Sequence, residues 1–113
     1  HQWCFNFLRR CLRRIITMIA FKESEIQSQL PQIPNWSYQN GFLERQIQFS
    51  SFTKAIAFLN RVATLSEEQH HHPVLTNNYN HLLIQLNTHD VNGISEKDFT
   101  LAKAIDRIEL TTG

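Results

Sequence analysis

From Ser50 or Ser51 to about Gln69, apolar side chains recur at helical spacing, with Phe52, Ala55, Ile56, Leu59, Val62 and Ala63 on one stripe. A serine at the start can cap the unpaired N–H groups of the first turn, so this stretch is expected to be a long amphipathic helix. Both of its flanks carry the opposite period. Upstream, residues 36–39 and 42–49 read as two strands joined at Asn40-Gly41, where both turn positions tolerate positive φ. In the second of these, Leu43, Arg45, Ile47 and Phe49 alternate with Phe42, Glu44, Gln46 and Gln48, so one face is drier than the other. After Pro73, residues 75–79 and 82–87 suggest a second hairpin, with Leu82, Ile84 and Leu86 on one face and Leu83 and Gln85 on the other.

Two further helices complete the pattern. Glu23 and Glu25 precede Ile26 and Leu30, placing negative charge in the first turn of a short helix that Pro31 and Pro34 are expected to end. Ser95 can cap a last helix carrying Leu101, Ile105 and Ile108 on one side. The order α-β-β-α-β-β-α implies an α+β fold: a four-stranded antiparallel sheet with about three helices packed on one face and the other face left free. A chain of 113 residues has interior enough for one core. Residues 21–113 are therefore read as a single domain, and residues 1–20 as a basic amphipathic extension.

That extension carries Arg9, Arg10, Arg13 and Arg14 with no acid, interleaved with Leu8, Leu12, Ile15 and Ile19 at helical spacing. It fits an organelle-targeting or membrane-surface helix, and fits better a helix docked on the protein's own surface or a non-native addition before Met18. The rest of the chain holds seven Lys or Arg against ten Asp or Glu, which argues against direct nucleic-acid binding, since phosphate contact needs clustered positive charge. Both cysteines, Cys4 and Cys11, lie in the extension, so neither a disulfide nor a cysteine-based zinc site braces the main domain. A reducing, cytoplasmic setting fits this usage. No apolar run reaches the roughly 20 residues that a membrane span requires.

Six histidines are unevenly placed, with His70, His71 and His72 consecutive before Pro73, and His81 and His89 further on. Imidazole titrates near neutrality, so several around one pocket can both give and take protons. Pro73 disfavours a helical His72, which puts the triplet at a helix exit in extended or turn geometry. Three roles fit: proton exchange, a solvated cap on the helix C-terminus, which suits His70, and metal binding. The last is weakened because three successive extended residues cannot all face one ion. His81, in the expected turn, reads as exposed and idle. Asp98, three residues after Ser95, can complete a capping box without touching substrate, and Glu67 fits a solvated last helical turn as well as a pocket.

The run Glu67-Glu68-Gln69-His70-His71-His72-Pro73, then Tyr79-Asn80, Thr88-His89-Asp90 and Gly93-Ile94-Ser95-Glu96-Lys97-Asp98, resembles the signature of the pterin-4a-carbinolamine dehydratases. That family is also known as a dimerisation cofactor of a homeodomain transcription factor. The similarity extends back through Trp36, Phe49, Phe52 and Arg61-Val62-Ala63, and the spacing from His71 to His89 to Asp98 agrees with it. The resemblance implies that His71, His72 and His89 are catalytic, with Asp98 supporting them and Glu67 lining the site. Two positions depart from it: His70 stands where the family usually has Asp or Asn, and Leu75 stands where many members have an aromatic residue beside the pterin.

The implied reaction is dehydration of 4a-hydroxytetrahydrobiopterin to quinonoid dihydropterin, in the recycling of tetrahydrobiopterin. It needs a proton for the departing 4a-hydroxyl and removal of the N5 proton, which imidazoles can supply without a cofactor or metal. The expected assignment has His71 and His89 exchanging protons while His72 binds and orients the pterin. The resemblance also implies a homo-oligomer, a dimer or a tetramer built from dimers whose sheets join at their edges. The alternative is a non-enzymatic partner-binding protein on the same fold, a transcriptional cofactor or assembly factor. Loss of the catalytic histidines is expected in such a protein, and all three are present here.

Overall fold

The computed structural model describes residues 19–110. The arginine-rich stretch of residues 1–18 lies outside the described residues, as do residues 111–113.

Strands β1 (Ser37–Gln39) and β2 (Phe42–Gln48) form the first hairpin. Strands β3 (Val74–Asn78) and β4 (His81–Leu86) form the second. They join antiparallel in the order β1-β2-β4-β3, giving the expected four-stranded sheet. At the first turn Asn40 and Gly41 take φ of 54° and 83°, the paired positive values that an Asn-Gly turn between twisted strands requires. At the second turn Tyr79 takes φ 55°. There Asn80 is bonded twice to Phe49: its side-chain amide donates to the Phe49 carbonyl and its own carbonyl accepts from the Phe49 N–H, both at 2.8 Å. This ties the tip of the second hairpin to the end of β2.

Register decides which side chains meet the helices. Leu43 lies opposite Leu86, Arg45 opposite Ile84, and Ile47 opposite Leu82, while Leu75 of β3 lies on the other side of Ile84. With a side-chain period of two, this alignment turns the apolar set to one face. The strands differ from expectation at their ends: β3 and β4 each start and finish one residue earlier, Trp36 precedes β1, and Phe49 falls beyond β2. His81, expected in the turn, opens β4 and is exposed.

Three α-helices pack on that face: α1 (Glu23–Gln29), α2 (Phe52–Gln69) and α3 (Glu96–Asp106). Ser51 caps α2, its Oγ accepting the Lys54 N–H at 3.2 Å. Pro31 does not stop the chain from coiling. After Gln29 it continues as a 3₁₀ turn, Leu30–Gln32, whose first turn has no need of the proline's missing N–H.

The buried face of α2 is also rotated from the expected stripe. Ala55, Phe58, Val62 and Ser66 face the core, while Phe52 is 46% exposed and Ala63 is exposed. Ser66 can be buried because its hydroxyl is satisfied within the helix, donating to the Val62 carbonyl at 2.8 Å. With Phe58 and Ser66 inside, Ile56 and Leu59 move to the half-buried flanks. On α3 the expected Leu101 and Ile105 are buried, together with Phe99 and Ala102, while Ile108, expected on the same helix, lies two residues beyond its end and is buried there.

Arg45 stands on the dry face of β2, where an isolated charge would be costly. Its guanidinium Nη1 donates to Asp106 Oδ1 at 2.7 Å, and Trp36 Nε1 donates to the same oxygen at 2.8 Å. The carboxylate at the end of α3 therefore clamps that helix to the sheet and to the loop before β1. At the opposite end, the Phe21 N–H donates to the Ile94 carbonyl at 2.7 Å and the rings of Phe21 and Phe99 lie 5.9 Å apart. Helix α3 is thus fixed at both ends.

Candidate active site

The site begins with how α2 ends. His70 adopts the left-handed conformation, φ 52° and ψ 41°. The His71 N–H donates to the Ser66 carbonyl at 3.0 Å and the His70 N–H to the Glu67 carbonyl at 3.3 Å. These two bonds close the last turn in the pattern usually completed by Gly or Asn, and His tolerates this region better than most side chains. Beyond His70 the chain leaves the helix, and β3 begins at Val74. His71 is buried and His72 is exposed.

His71 is held by the start of α3. Its Nε2 lies 2.6 Å from Asp98 Oδ1, and Asp98 is fully buried. The other oxygen, Oδ2, accepts from Thr88 Oγ1 at 2.7 Å and from the Ser95 N–H at 2.9 Å. The bond from Ser95 is one half of the capping box foreseen for Ser95 and Asp98, and Asp98 thus caps the helix and contacts His71 at once. Thr88 and Ser95 hydroxyls lie 2.6 Å apart, and Ser95 Oγ accepts the Lys97 N–H at 3.2 Å. Thr88 is fixed in turn by a bridge to Gly93, formed around a single 3₁₀ turn, His89–Val91, that sequence periodicity does not anticipate.

The 88–91 segment brings His89 beside the histidine triplet. An open hollow of about 250 Å³ is lined by His70, His71, His72, His89, Asp90, Thr88 and Lys97 among others. His72 meets Glu67 at its edge, Nε2 to Oε1 at 2.7 Å, with both side chains mostly exposed. Asp98 lies behind His71 rather than on the lining. Leu75 does not line this hollow; it is half-buried against the core, opposite Ile84. A second groove, lined by Gln69, His71, Glu96, Lys97 and Thr100, shares His71 and Lys97 with the first. Among the described residues, no three His, Cys, Asp or Glu side chains converge in a way that could hold a metal ion.

Thr88, Asp90 and Lys97 stand in the signature quoted from the sequence, but sequence reasoning gave them no role in this neighbourhood. Thr88 and Asp90 flank His89 in the chain, and that adjacency brings them to the same hollow. Chemically, the arrangement offers two imidazoles, His71 and His89, from distant parts of the chain at one small concavity. One of them is braced by a buried carboxylate, so protons can be given and taken around a bound ring.

Comparison with known proteins gives consistent results. A family described as pterin 4 alpha carbinolamine dehydratase matches residues 19–108. A protein of Chloroflexus aurantiacus, provisionally named a pterin-4-alpha-carbinolamine dehydratase, is 45% identical over 91 residues, covering 80% of this chain and 98% of the relative. A Sulfolobus acidocaldarius protein with the same provisional name is 38% identical over 87 residues, covering 77% and 96%. Among solved structures, the transcriptional coactivator/pterin dehydratase of Brucella melitensis superposes with a TM-score of 0.73 at 29% identity, covering 77% of this chain and 95% of that one. A pterin dehydratase-like protein identified as a RuBisCO assembly factor in the alpha-carboxysome gives a TM-score of 0.52 at 25% identity, covering 63% and 82%.

Proposed function

We propose, from the premise that this chain belongs to the pterin 4 alpha carbinolamine dehydratase family, that it dehydrates 4a-hydroxytetrahydrobiopterin to quinonoid dihydropterin. The observation that carries the proposal is the presence of His71 and His89 on one hollow. In this reading one imidazole delivers a proton to the 4a-hydroxyl as its bond to C4a breaks. The other removes the proton from N5 as the N5–C4a double bond forms, and water departs. Protons and electrons balance without a cofactor or a metal, and positioned acid–base groups of this kind typically contribute about 10²–10⁴ in rate. His72 binds and orients the pterin, with Glu67 beside it. Asp98 supports His71 from behind. Leu75 shapes the site only indirectly, through the core beneath it. The setting proposed is cytoplasmic recycling of tetrahydrobiopterin by residues 21–113 acting as one domain.

Stopped-flow measurement of quinonoid formation from synthetic 4a-hydroxytetrahydropterin tests the proposal. His71→Ala and His89→Ala are each expected to slow it by about 10²-fold or more, and His72→Ala to weaken substrate binding. Unchanged rates in all three variants reject the assignment.

The same reading includes a homo-oligomer, a dimer or tetramer. Phe52 and Ala63 are exposed and Ile56 only half-buried on one flank of α2, and β3 leaves an open sheet edge carrying the exposed Val74. Light scattering that returns a monomer removes this part. A partner-binding role is the second reading, favoured by the likeness to the assembly factor. It predicts no dehydratase activity in the wild-type protein.

A further inference from the structure

Asp98, Thr88, Ser95 and His71 are all buried, and their hydrogen bonds run in one direction. As a carboxylate, Asp98 has no hydrogen to give. Its Oδ2 takes the Thr88 hydroxyl hydrogen and the Ser95 amide hydrogen. Thr88, with its one hydrogen committed, must accept at its 2.6 Å contact with Ser95, whose hydroxyl therefore donates. Ser95 Oγ in turn accepts from the Lys97 amide at the first turn of α3. Every hydrogen in the chain is used once, and no buried side-chain nitrogen or oxygen among the described residues lacks a partner.

We infer that Thr88 is a positioning residue which, through Asp98, locks the His71 ring with its hydrogen on Nε2 and so makes Nδ1 the atom that exchanges protons. Asp98 Oδ1 faces Nε2 at 2.6 Å, and an acceptor-only oxygen at that distance requires the hydrogen to sit on the nitrogen. A neutral ring then has its lone pair on Nδ1. Two donors on Oδ2 prevent the carboxylate from rotating, and of the two only the Thr88 hydroxyl is a side-chain group that substitution removes, the other being the Ser95 backbone N–H. The catalytic use of Nδ1 rests on the functional reading above; the tautomer does not.

The test is nitrogen NMR of the His71 ring in the uniformly ¹⁵N-labelled full chain, at a pH where the ring is neutral. Wild type is expected to show the Nε2–H form alone. Thr88→Val, which keeps the shape and removes the donor, is expected to show both tautomers and to lose turnover roughly tenfold or more, as for a lost hydrogen bond to a charged group. Thr88→Ser is expected to restore the single form and most of the rate, which a purely structural role for the threonine methyl would not do. An Nδ1–H form in wild type overturns the inference without any variant, so it stays testable should Thr88→Val fail to fold. A single unchanged tautomer in folded Thr88→Val overturns it as well. Wild type with the Nε2–H form but no dehydratase activity supports this inference and rejects the proposed reaction, so the two failures are distinct.

Discussion

Replacing Asp106 by alanine separates the scaffold of this protein from its chemistry. Asp106 Oδ1 accepts from Arg45 at 2.7 Å and from Trp36 Nε1 at 2.8 Å. The Arg45 side chain is only 9% exposed, so truncating the acid leaves a guanidinium inside the protein with its counter-charge gone. Removing one partner of a buried ion pair typically costs about 3–5 kcal/mol. Because Asp106 is itself 20% exposed, some water reaches the site, and the lower figure of about 3 kcal/mol applies. For a domain of this size, with each kcal/mol shifting the midpoint by roughly 4 °C, the expected fall in Tm is about 12 °C. Adding Arg45→Met to Asp106→Ala should recover most of the loss, since two apolar groups replace the stranded charge and only the Trp36 N–H stays unpaired. Thermal and urea unfolding at one fixed protein concentration, needed because an oligomer's midpoint depends on it, provide the assay. A single variant within about 0.5 kcal/mol of wild type, or a double variant worse than the single, refutes the reasoning that the charge is buried and paired.

Other substitutions probe the site end of the same helix and the end of α2. Asp98→Asn keeps the shape but presents an amide where an oxygen now accepts, either at His71 or at Thr88 and Ser95; quinonoid formation should slow by about 10²-fold or more. Near wild-type turnover in that variant would leave Asp98 as a cap and nothing else. His70→Gly relieves a side chain at φ 52° and should stabilise by roughly 0.5–1 kcal/mol in urea unfolding with activity kept, whereas a loss of activity would show that His70 acts on substrate. Glu67→Ala removes an exposed partner of His72 and should change stability by less than about 0.5 kcal/mol, its effect being read in KM.

Much of this architecture follows from local pattern. Asn40-Gly41 specified its turn because positive φ at both positions suits few other pairs, and Ser51 and Ser95 marked helix starts because their hydroxyls satisfy orphan N–H groups. The exit of the histidine triplet from the helix follows from Pro73, which disfavours a helical His72, and the helix ends at Gln69. What escaped depends on long-range pairing. Arg45 in the alternation Leu43, Arg45, Ile47 signals that some acid must meet it, but nothing local selects Asp106, 61 positions away. The buried side of α2 takes in Phe58 and Ser66 rather than Phe52, and the hydroxyl satisfied within the helix that lets Ser66 be buried is invisible to a count of apolar residues. Thr88 stands in the signature run beside His89, yet nothing local gives it a role; its importance arises where a loop meets a helix start.

The claim beneath all of this is that His71 and His89 address the same bound ring. Titrating the ¹⁵N-labelled protein with a stable 7,8-dihydropterin and following every histidine ring tests it directly. The account predicts that His71 and His89 shift together and saturate at one common concentration, while the exposed His81 at the start of β4 stays still. Movement of one ring without the other, or of neither, contradicts it.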